Sequence, residues 1–213
     1  MSSNNAYPQQ ASKESYEPFV RGEVSATDEG LARLRQDETL AELVERFGPY
    51  SWTLHTPFFA TARAIVGQRI SGRSAQTTFR RLMQVTGLEP ARLLATSEQE
   101  LRDAGLPRSK VRYLREVATV AEQGGLDNLF DLSDDDAKHV LTDITGVGPW
   151  TAEMVLMFSL GRCDVWPVGD LGVVQAAEAL YDVDKKGLGE LGERFRPYRS
   201  AATWYFWRWS EAR

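Results

Sequence analysis

Apolar residues recur at spacings of three and four over most of the chain, the spacing that places side chains on one face of an α-helix. Runs of this kind include Leu40, Leu43, Val44 and Phe47; Phe58, Phe59, Ala62, Ile65 and Val66; Phe79, Leu82, Met83 and Val85; and Val111, Leu114, Val117, Ala118 and Val120. Glycine or proline follows several of these runs, as is typical of helix ends. The alternation typical of strands is nearly absent, so the pattern predicts an all-α protein of roughly ten helices.

The first residues differ from the rest of the chain because they are rich in Ser, Asn, Gln and Pro and show no apolar periodicity. We interpret residues 1–17 as a disordered leader and residues 18–213 as a single helical unit. A chain of 213 residues suffices for one domain or for two small lobes. No window holds the roughly 18 apolar residues of a membrane span, and the N-terminus lacks the apolar core of a signal peptide. We therefore expect no membrane association and a cytoplasmic location.

The number of cysteines and the distribution of charge limit the kinds of site that the chain can form. Cys163 is the single cysteine, which excludes an intramolecular disulfide framework, a multi-cysteine zinc site and a four-cysteine iron–sulfur cluster. The net charge of −5 hides an uneven distribution, since residues 60–115 carry 11 basic and 4 acidic groups and residues 194–213 carry 5 and 1. A surface that faces phosphates is therefore compatible with the acidic total.

A glycine-containing turn between two helical patterns is the most informative segment. Residues 141–158 read LTDITGVGPWTAEMVLMF, and we expect a helical hairpin over about residues 139–158. Gly146 and Gly148 permit a tight turn, and Pro149 suits the first position of the second helix. The free amides at that helix start favour a phosphate group. Taken alone, the two glycines could equally serve only to turn the chain.

A carboxylate follows the hairpin at short range. Asp170 comes after Pro167 and Gly169, at the predicted start of an apolar helix. One interpretation is a helix N-cap, because Asp is among the best cap residues. The other is a catalytic carboxylate, which is favoured by the succession of a phosphate-binding hairpin, a short spacer and an acid.

Four ordered segments together resemble the AlkA-type 3-methyladenine DNA glycosylases of the helix-hairpin-helix (HhH-GPD) superfamily. Besides the hairpin with its aspartate, residues 64–71 (AIVGQRIS), 104–114 (AGLPRSKVRYL) and 196–200 (RPYRS) with the later Trp207 resemble segments of that family. The resemblance implies a two-lobed helical fold with the active-site cleft between the lobes. It also implies a monomer that binds double-stranded DNA containing alkylated bases, in a compact version without the N-terminal extension of the family's larger members.

The resemblance also implies a chemistry. Asp170 would stabilise the positive charge on deoxyribose as the N-glycosidic bond of an alkylated purine breaks. Family members that nick the backbone carry a nucleophilic lysine just after the G-x-G, where this chain has Pro149, Trp150 and Thr151. We therefore expect a monofunctional hydrolase that initiates base excision repair, in a bacterial cytoplasm and associated with the nucleoid.

Further site residues are implied in the same way, and no cofactor is required. The base must be flipped out of the duplex, and a wedge must fill the gap. The implied wedge is Gln68 and Arg69, the base pocket is Trp150, Trp207 and Met154, and the phosphate-binding residues are Gly146, Val147, Gly148, Thr151 and Lys110. A Na⁺ or K⁺ ion in the hairpin would be held by the backbone carbonyls of Thr142, Ile144 and Val147.

Two other functions stay open. The chain could be a non-catalytic helix-hairpin-helix protein that binds damaged DNA without cutting it, although such a protein would not need an acid at position 170. A nucleotide-binding function of the G-x-G is less favoured, because a Rossmann-type site needs strands beside the glycines.

Overall fold

The computed structural model describes residues 16–213. Of the predicted leader, only Tyr16 and Glu17 lie within the described residues. The Tyr16 ring is buried and lies 5.3 Å from the ring of Phe59, measured between centroids. Tyr16 therefore belongs to the packed core, although the sequence pattern assigned it to the leader.

Twelve α-helices are present among the described residues, which confirms the helical class. They are α1 Asp28–Leu34, α2 Glu38–Phe47, α3 Pro57–Gly67, α4 Gly72–Thr86, α5 Pro90–Ala95, α6 Glu98–Asp103, α7 Arg108–Glu122, α8 Asp134–Thr142, α9 Pro149–Phe158, α10 Leu171–Tyr181, α11 Leu188–Glu193 and α12 Arg199–Glu211. Two 3₁₀ turns cover Glu17–Phe19 and Asp127–Asp131. Within residues 16–213, no helix is long and apolar enough to cross a bilayer.

A small sheet, which the sequence pattern did not predict, joins the N-terminal segment to the rest. Strands β1 (Val20–Ser25) and β2 (Ser51–His55) pair antiparallel, with Val24 opposite Trp52. The indole Nε1 of Trp52 donates a hydrogen bond to the Met157 carbonyl oxygen in α9 (3.1 Å). The sheet is thereby attached to the second helix of the hairpin.

Six of the twelve helices begin at a polar side chain that accepts a hydrogen bond from a backbone amide of the first turn. The capping residues are Thr27, Asp37, Ser71, Ser97, Ser133 and Asp170. Helix α9 begins differently, since its N-cap Gly148 has no side chain and Pro149 follows it. The start of α9 is therefore left for an external acceptor.

The helices form two groups with α3 and α9 between them. Helices α4 to α8 come from the middle of the chain, while α1, α2, α10 and α12 come from its two ends and pack on one another. Helix α3 is buried from Phe58 to Gly67 and packs against α4, α7 and α9. The loops at the ends of α3 and α9 therefore lie where the two groups meet.

Candidate active site

A cleft of about 1150 Å³ opens where the two groups of helices meet. Four segments that are distant in sequence line it. They are residues 67–70 after α3, residues of the first turns of α7, the hairpin from Thr142 to Thr151, and Gly169 to Leu171 at the start of α10. The predicted wedge, hairpin and aspartate therefore share one cleft.

The turn of the hairpin requires a glycine at its centre. Gly146 has a φ of +92°, and a Cβ there would lie 2.1 Å from the Cγ atom of Tyr113 on α7. The Val147 amide donates to the Ile144 carbonyl, which closes the turn (3.0 Å). Any larger residue at position 146 would displace the hairpin from α7.

The second glycine stands at an open position. Nothing lies within 4 Å of a Cβ added to Gly148, whose backbone is extended (φ −92°, ψ 176°). The Gly148 carbonyl already accepts the Ala152 amide (3.0 Å), and the first amides of α9 point away from the helix without intrahelical acceptors. With the positive end of the helix dipole, they form a site suited to a phosphate oxygen.

Asp170 is both a helix cap and a buried acid of the cleft. Its backbone amide donates to the Pro167 carbonyl (2.9 Å), which closes the turn before α10. The side chain is 6% exposed, and Oδ1 accepts the Val173 amide at 3.0 Å. The two interpretations from the sequence are therefore compatible, because capping uses Oδ1 and leaves the second oxygen for other partners.

Two indole groups complete the surroundings of this carboxylate. Nε1 of Trp207 donates to Oδ1 (3.0 Å), and Nε1 of Trp150 donates to Oδ2 (2.7 Å). A Cβ added to Gly172 would lie 3.1 Å from Trp207 and 3.2 Å from Oδ1, so the small residue allows the indole and the acid to meet. All three hydrogen bonds come from N–H donors, which favours the ionised carboxylate.

The electrostatics of the carboxylate reflect two opposing effects. Burial raises the pKa of Asp170, while hydrogen bonds from Trp207, Trp150 and the backbone oppose that rise. Nearby, burial raises the pKa of Glu153 to about 7, with Lys138 lowering it and Asp170 raising it. Glu153 was not singled out in the sequence, because a lone glutamate in a helix carries no motif.

The three residues of the predicted base pocket lie in different environments. Trp207 is 1% exposed and stacks on Phe158 (ring centroids 5.8 Å apart, 19° between planes), and it does not line the cleft. Met154 is fully buried and does not line it either. Both belong to the core. Trp150 does line the cleft. Tyr113 on α7 lines it too, and it was not singled out in the sequence, although it lies three residues after the predicted site residue Lys110.

The predicted wedge divides into two residues with different environments. Arg69 is exposed at the cleft and has a φ of +57°, so it lies at the tip of a sharp turn after α3. The carboxamide of Gln68 is directed instead at the hairpin, where Nε2 donates to the Gly146 carbonyl and to Thr151 Oγ1, both at 3.0 Å. As a residue that inserts into DNA, Gln68 is disfavoured because it would have to break both hydrogen bonds.

Two predicted phosphate-binding side chains are also engaged within the protein. Lys110 is 8% exposed, and its Nζ donates to the carbonyls of Val66 (2.7 Å) and Gln68 (2.9 Å). Burial lowers its pKa to about 8. Thr151 is 1% exposed, with its hydroxyl bound to Gln68. Both line the cleft, but their side chains hold the structure together rather than reach outward.

The family of the chain follows from a comparison with known proteins. A family model described as HhH-GPD superfamily base excision DNA repair protein matches residues 62–197, which include the wedge turn, the hairpin and Asp170. The chain belongs to the HhH-GPD superfamily. The match ends at Pro197, before the Trp207 that contacts the carboxylate.

The chain is also similar to several named relatives and solved structures. DNA-3-methyladenine glycosylase 1 of Schizosaccharomyces pombe is 28% identical over 190 residues, which cover 82% of this chain and 83% of the relative. A DNA-3-methyladenine glycosidase structure from Bacillus halodurans has 33% identity and a TM-score of 0.70, covering 88% of this chain and 92% of that one. A S. pombe 3-methyladenine DNA glycosylase in complex with abasic DNA has 26% identity and a TM-score of 0.79, covering 86% and 97%.

The hairpin geometry generates a prediction for Gly148→Asp. Asp is a good N-cap, and the position has room for a side chain, so the variant should fold with α9 intact. Its carboxylate would face the DNA phosphate, and we expect duplex affinity to fall at least about tenfold more than in Gly148→Asn, which has the same shape without the charge. Fluorescence anisotropy with an undamaged duplex measures the affinity of each variant. Equal affinities of the Asp and Asn variants would show that phosphate is not bound at this helix start.

The contacts of Trp207 generate a second prediction. Trp207→Phe removes one N–H donor from the carboxylate, so the pKa of Asp170 should rise further. If base release requires the ionised acid, the acidic limb of the single-turnover pH–rate profile should move to higher pH by about one unit. Trp209→Phe is the matched control, since its indole is not bonded to Asp170. A loss that is uniform across pH would indicate that Trp207 acts only through packing.

Proposed function

We propose that this protein is a monofunctional DNA glycosylase that removes alkylated purines, such as 3-methyladenine and 7-methylguanine, from double-stranded DNA. The hydrogen bond from Trp150 Nε1 to Asp170 Oδ2 (2.7 Å) carries the proposal. This hydrogen bond joins the buried acid to the first turn of α9, and the amides at the start of α9 have no capping side chain and can bind a phosphate. The relatives described above bear names of 3-methyladenine glycosylases, which supports the same substrate class.

The mechanism begins with binding of the DNA backbone. The amides at the start of α9 donate hydrogen bonds to a phosphate, and Arg69 reaches the gap that is left when a nucleotide leaves the stack. The guanidinium of Arg69 is planar and always charged, so it suits stacking between bases. The extruded purine then occupies the cleft beside Trp150, whose ring attracts a cationic alkylated base.

Bond cleavage uses the carboxylate. As the bond between the base and deoxyribose breaks, positive charge develops on the sugar, and the anion of Asp170 stabilises it. A buried acid interacts with that charge more strongly than an exposed acid would, because water does not screen it. An alkylated purine with a positive charge leaves readily, whereas a normal purine leaves slowly without protonation. A water molecule completes the hydrolysis.

An amine nucleophile is not well placed in this cleft. Helix α9 contains no lysine. The lysine among the cleft-lining residues, Lys110, donates to two carbonyls through its Nζ. Attack on the sugar would require a neutral amine released from both contacts. Water is therefore the favoured nucleophile, and the product is an intact abasic site.

Two further features belong to the proposal. A Na⁺ or K⁺ ion on the carbonyls of Thr142, Ile144 and Val147 would add positive charge beside the phosphate; the Ile144 oxygen already accepts the Val147 amide (3.0 Å) but keeps a second lone pair. Among residues 16–213, no group of three or more His, Cys, Asp and Glu side chains could hold a metal ion. The protein acts as a monomer on cytoplasmic, nucleoid-associated DNA.

The alternative is a protein that binds damaged DNA without catalysis. A buried carboxylate in a cleft that receives a polyanion repels phosphate and is costly to desolvate. The cap of α10 uses Oδ1 alone, whereas a carboxylate whose Oδ2 also faces an indole of the cleft has a use in catalysis and none in binding DNA. This observation favours the enzyme.

Substitution of the acid tests the proposal. Asp170→Asn keeps an oxygen for the Val173 amide but removes the charge, so single-turnover base release from a 7-methylguanine duplex should fall on the order of 100-fold or more, with DNA binding retained. The matched control is Asp182→Asn, at the opposite end of the same helix, where the positive φ of +54° suits Asn as well as Asp. Release by Asp170→Asn near the wild-type rate would place the chemistry elsewhere, and no release by the wild type would favour the binding protein.

The nature of the product is a separate expectation. Borohydride added during turnover should trap no covalent complex between protein and DNA, and strands should break only after alkali treatment. The reason is that Lys110, the lysine that lines the cleft within residues 16–213, donates through its Nζ to two carbonyls. A trapped complex that disappears in Lys110→Met would show that this lysine is a nucleophile.

A further inference from the structure

The turn that carries Arg69 is tied to the phosphate-binding hairpin by a single side chain. Gln68 lies directly before Arg69 and is 78 positions from Gly146 in the sequence. Its one amide nitrogen donates to the Gly146 carbonyl and to Thr151 Oγ1, both at 3.0 Å. It therefore contacts the turn of the hairpin and the first turn of α9 at the same time.

The backbone of the same residue is held from the opposite side. The Gln68 carbonyl accepts Lys110 Nζ at 2.9 Å, and the same ammonium binds the Val66 carbonyl at 2.7 Å. These carbonyls lie at the C-terminal end of α3, where a positive charge is favoured. Gln68 thus has its main chain fixed to α7 and its side chain fixed to α9, with little freedom left to move.

The position of Arg69 depends on this arrangement. Its φ of +57° is uncommon for a residue with a side chain, and such conformations persist where the surroundings hold them. Neither ion pairs nor side-chain hydrogen bonds of Arg69 are found within residues 16–213. The backbone of the turn therefore sets the direction in which the Cα–Cβ bond of Arg69 leaves the chain, and that backbone is held through Gln68.

We propose that Gln68 is a positioning residue that fixes Arg69 relative to the phosphate-binding hairpin, so that base flipping depends on Gln68 although Gln68 does not enter the DNA. The proposal rests on the function proposed above, in which Arg69 fills the gap. It assigns the two adjacent residues different tasks. Arg69 contacts DNA, and Gln68 transmits the position of the bound phosphate to Arg69.

The partner hydroxyl provides a test that leaves residue 68 unchanged. Thr151→Val has nearly the same shape as threonine but lacks the acceptor for Gln68, while Thr151→Ser restores it. If Gln68 positions Arg69, then Thr151→Val should slow flipping by up to about tenfold, the effect expected of one lost hydrogen bond, and Thr151→Ser should recover most of the rate. Gln68→Ala, which loses both hydrogen bonds, should slow flipping at least as much. If Gln68 instead inserts into DNA, freeing it by Thr151→Val should leave flipping unchanged or faster.

Flipping is measured directly rather than through base release. The probe is a duplex with 2-aminopurine beside a tetrahydrofuran abasic analogue, whose fluorescence rises when the neighbouring base unstacks. Affinity for the undamaged duplex is measured in parallel and should change less than about twofold, because the hairpin amides are retained. A loss of undamaged-duplex affinity equal to the loss of flipping would overturn the proposal, since it would show general damage to the hairpin. Thermal melting confirms that each variant is folded.

A double-variant cycle identifies the residue through which Gln68 acts. In an Arg69→Ala background, Gln68→Ala should cause no further loss of flipping, because two residues that act through one contact are not additive. Multiplicative losses would overturn the proposal and show that Gln68 acts on DNA by itself. This readout needs no glycosylase chemistry, so it is distinguishable from the failure of the proposed function, which the wild-type release assay detects separately.

Discussion

The buried carboxylate of Asp170 imposes the strictest requirement in the structure. Removing an anion from water is costly, and the cost is offset only when hydrogen-bond donors replace the lost water. Here the donors come from the amide of Val173 and from the indoles of Trp150 and Trp207. Helices α9, α10 and α12 must therefore meet at one side chain. Gly172 belongs to the same requirement, since a larger residue would separate the acid from Trp207.

The proposed function requires a positive and a negative electrostatic environment within one cleft. A phosphate needs the positive end of a helix, whereas a developing sugar cation needs an anion. Trp150 lies between them, because it belongs to the first turn of α9 and its indole binds the acid. The indoles bind the oxygens of the carboxylate, whereas the start of α9 at Gly148 has open space in front of it. This separation lets a net acidic chain receive DNA without placing Asp170 against the backbone.

Part of the site could be predicted from the chain because glycine, proline and aspartate act locally. Gly146 adopts a positive φ, Pro149 begins α9 and Asp170 caps α10, all for reasons carried by each residue and its neighbours. The sheet escaped prediction because strands of five and six residues show too little alternation. Helices α5, α6 and α11 were not predicted either, because each has six residues and spans fewer than two turns, too short to show a helical period.

The sequence by itself determined the helical class, the order of the segments around the cleft and the family, because periodicity and short motifs are local properties of the chain. Only the tertiary structure decided what each side chain contacts. Gln68 and Lys110 lie in the predicted segments, yet their polar groups bind carbonyls that are distant in sequence. Trp207, predicted for the base pocket, is buried in the core and donates to the acid from there. The direction of a long side chain depends on which unsatisfied backbone or side-chain group packing brings near it, and that is fixed only when the helices have assembled.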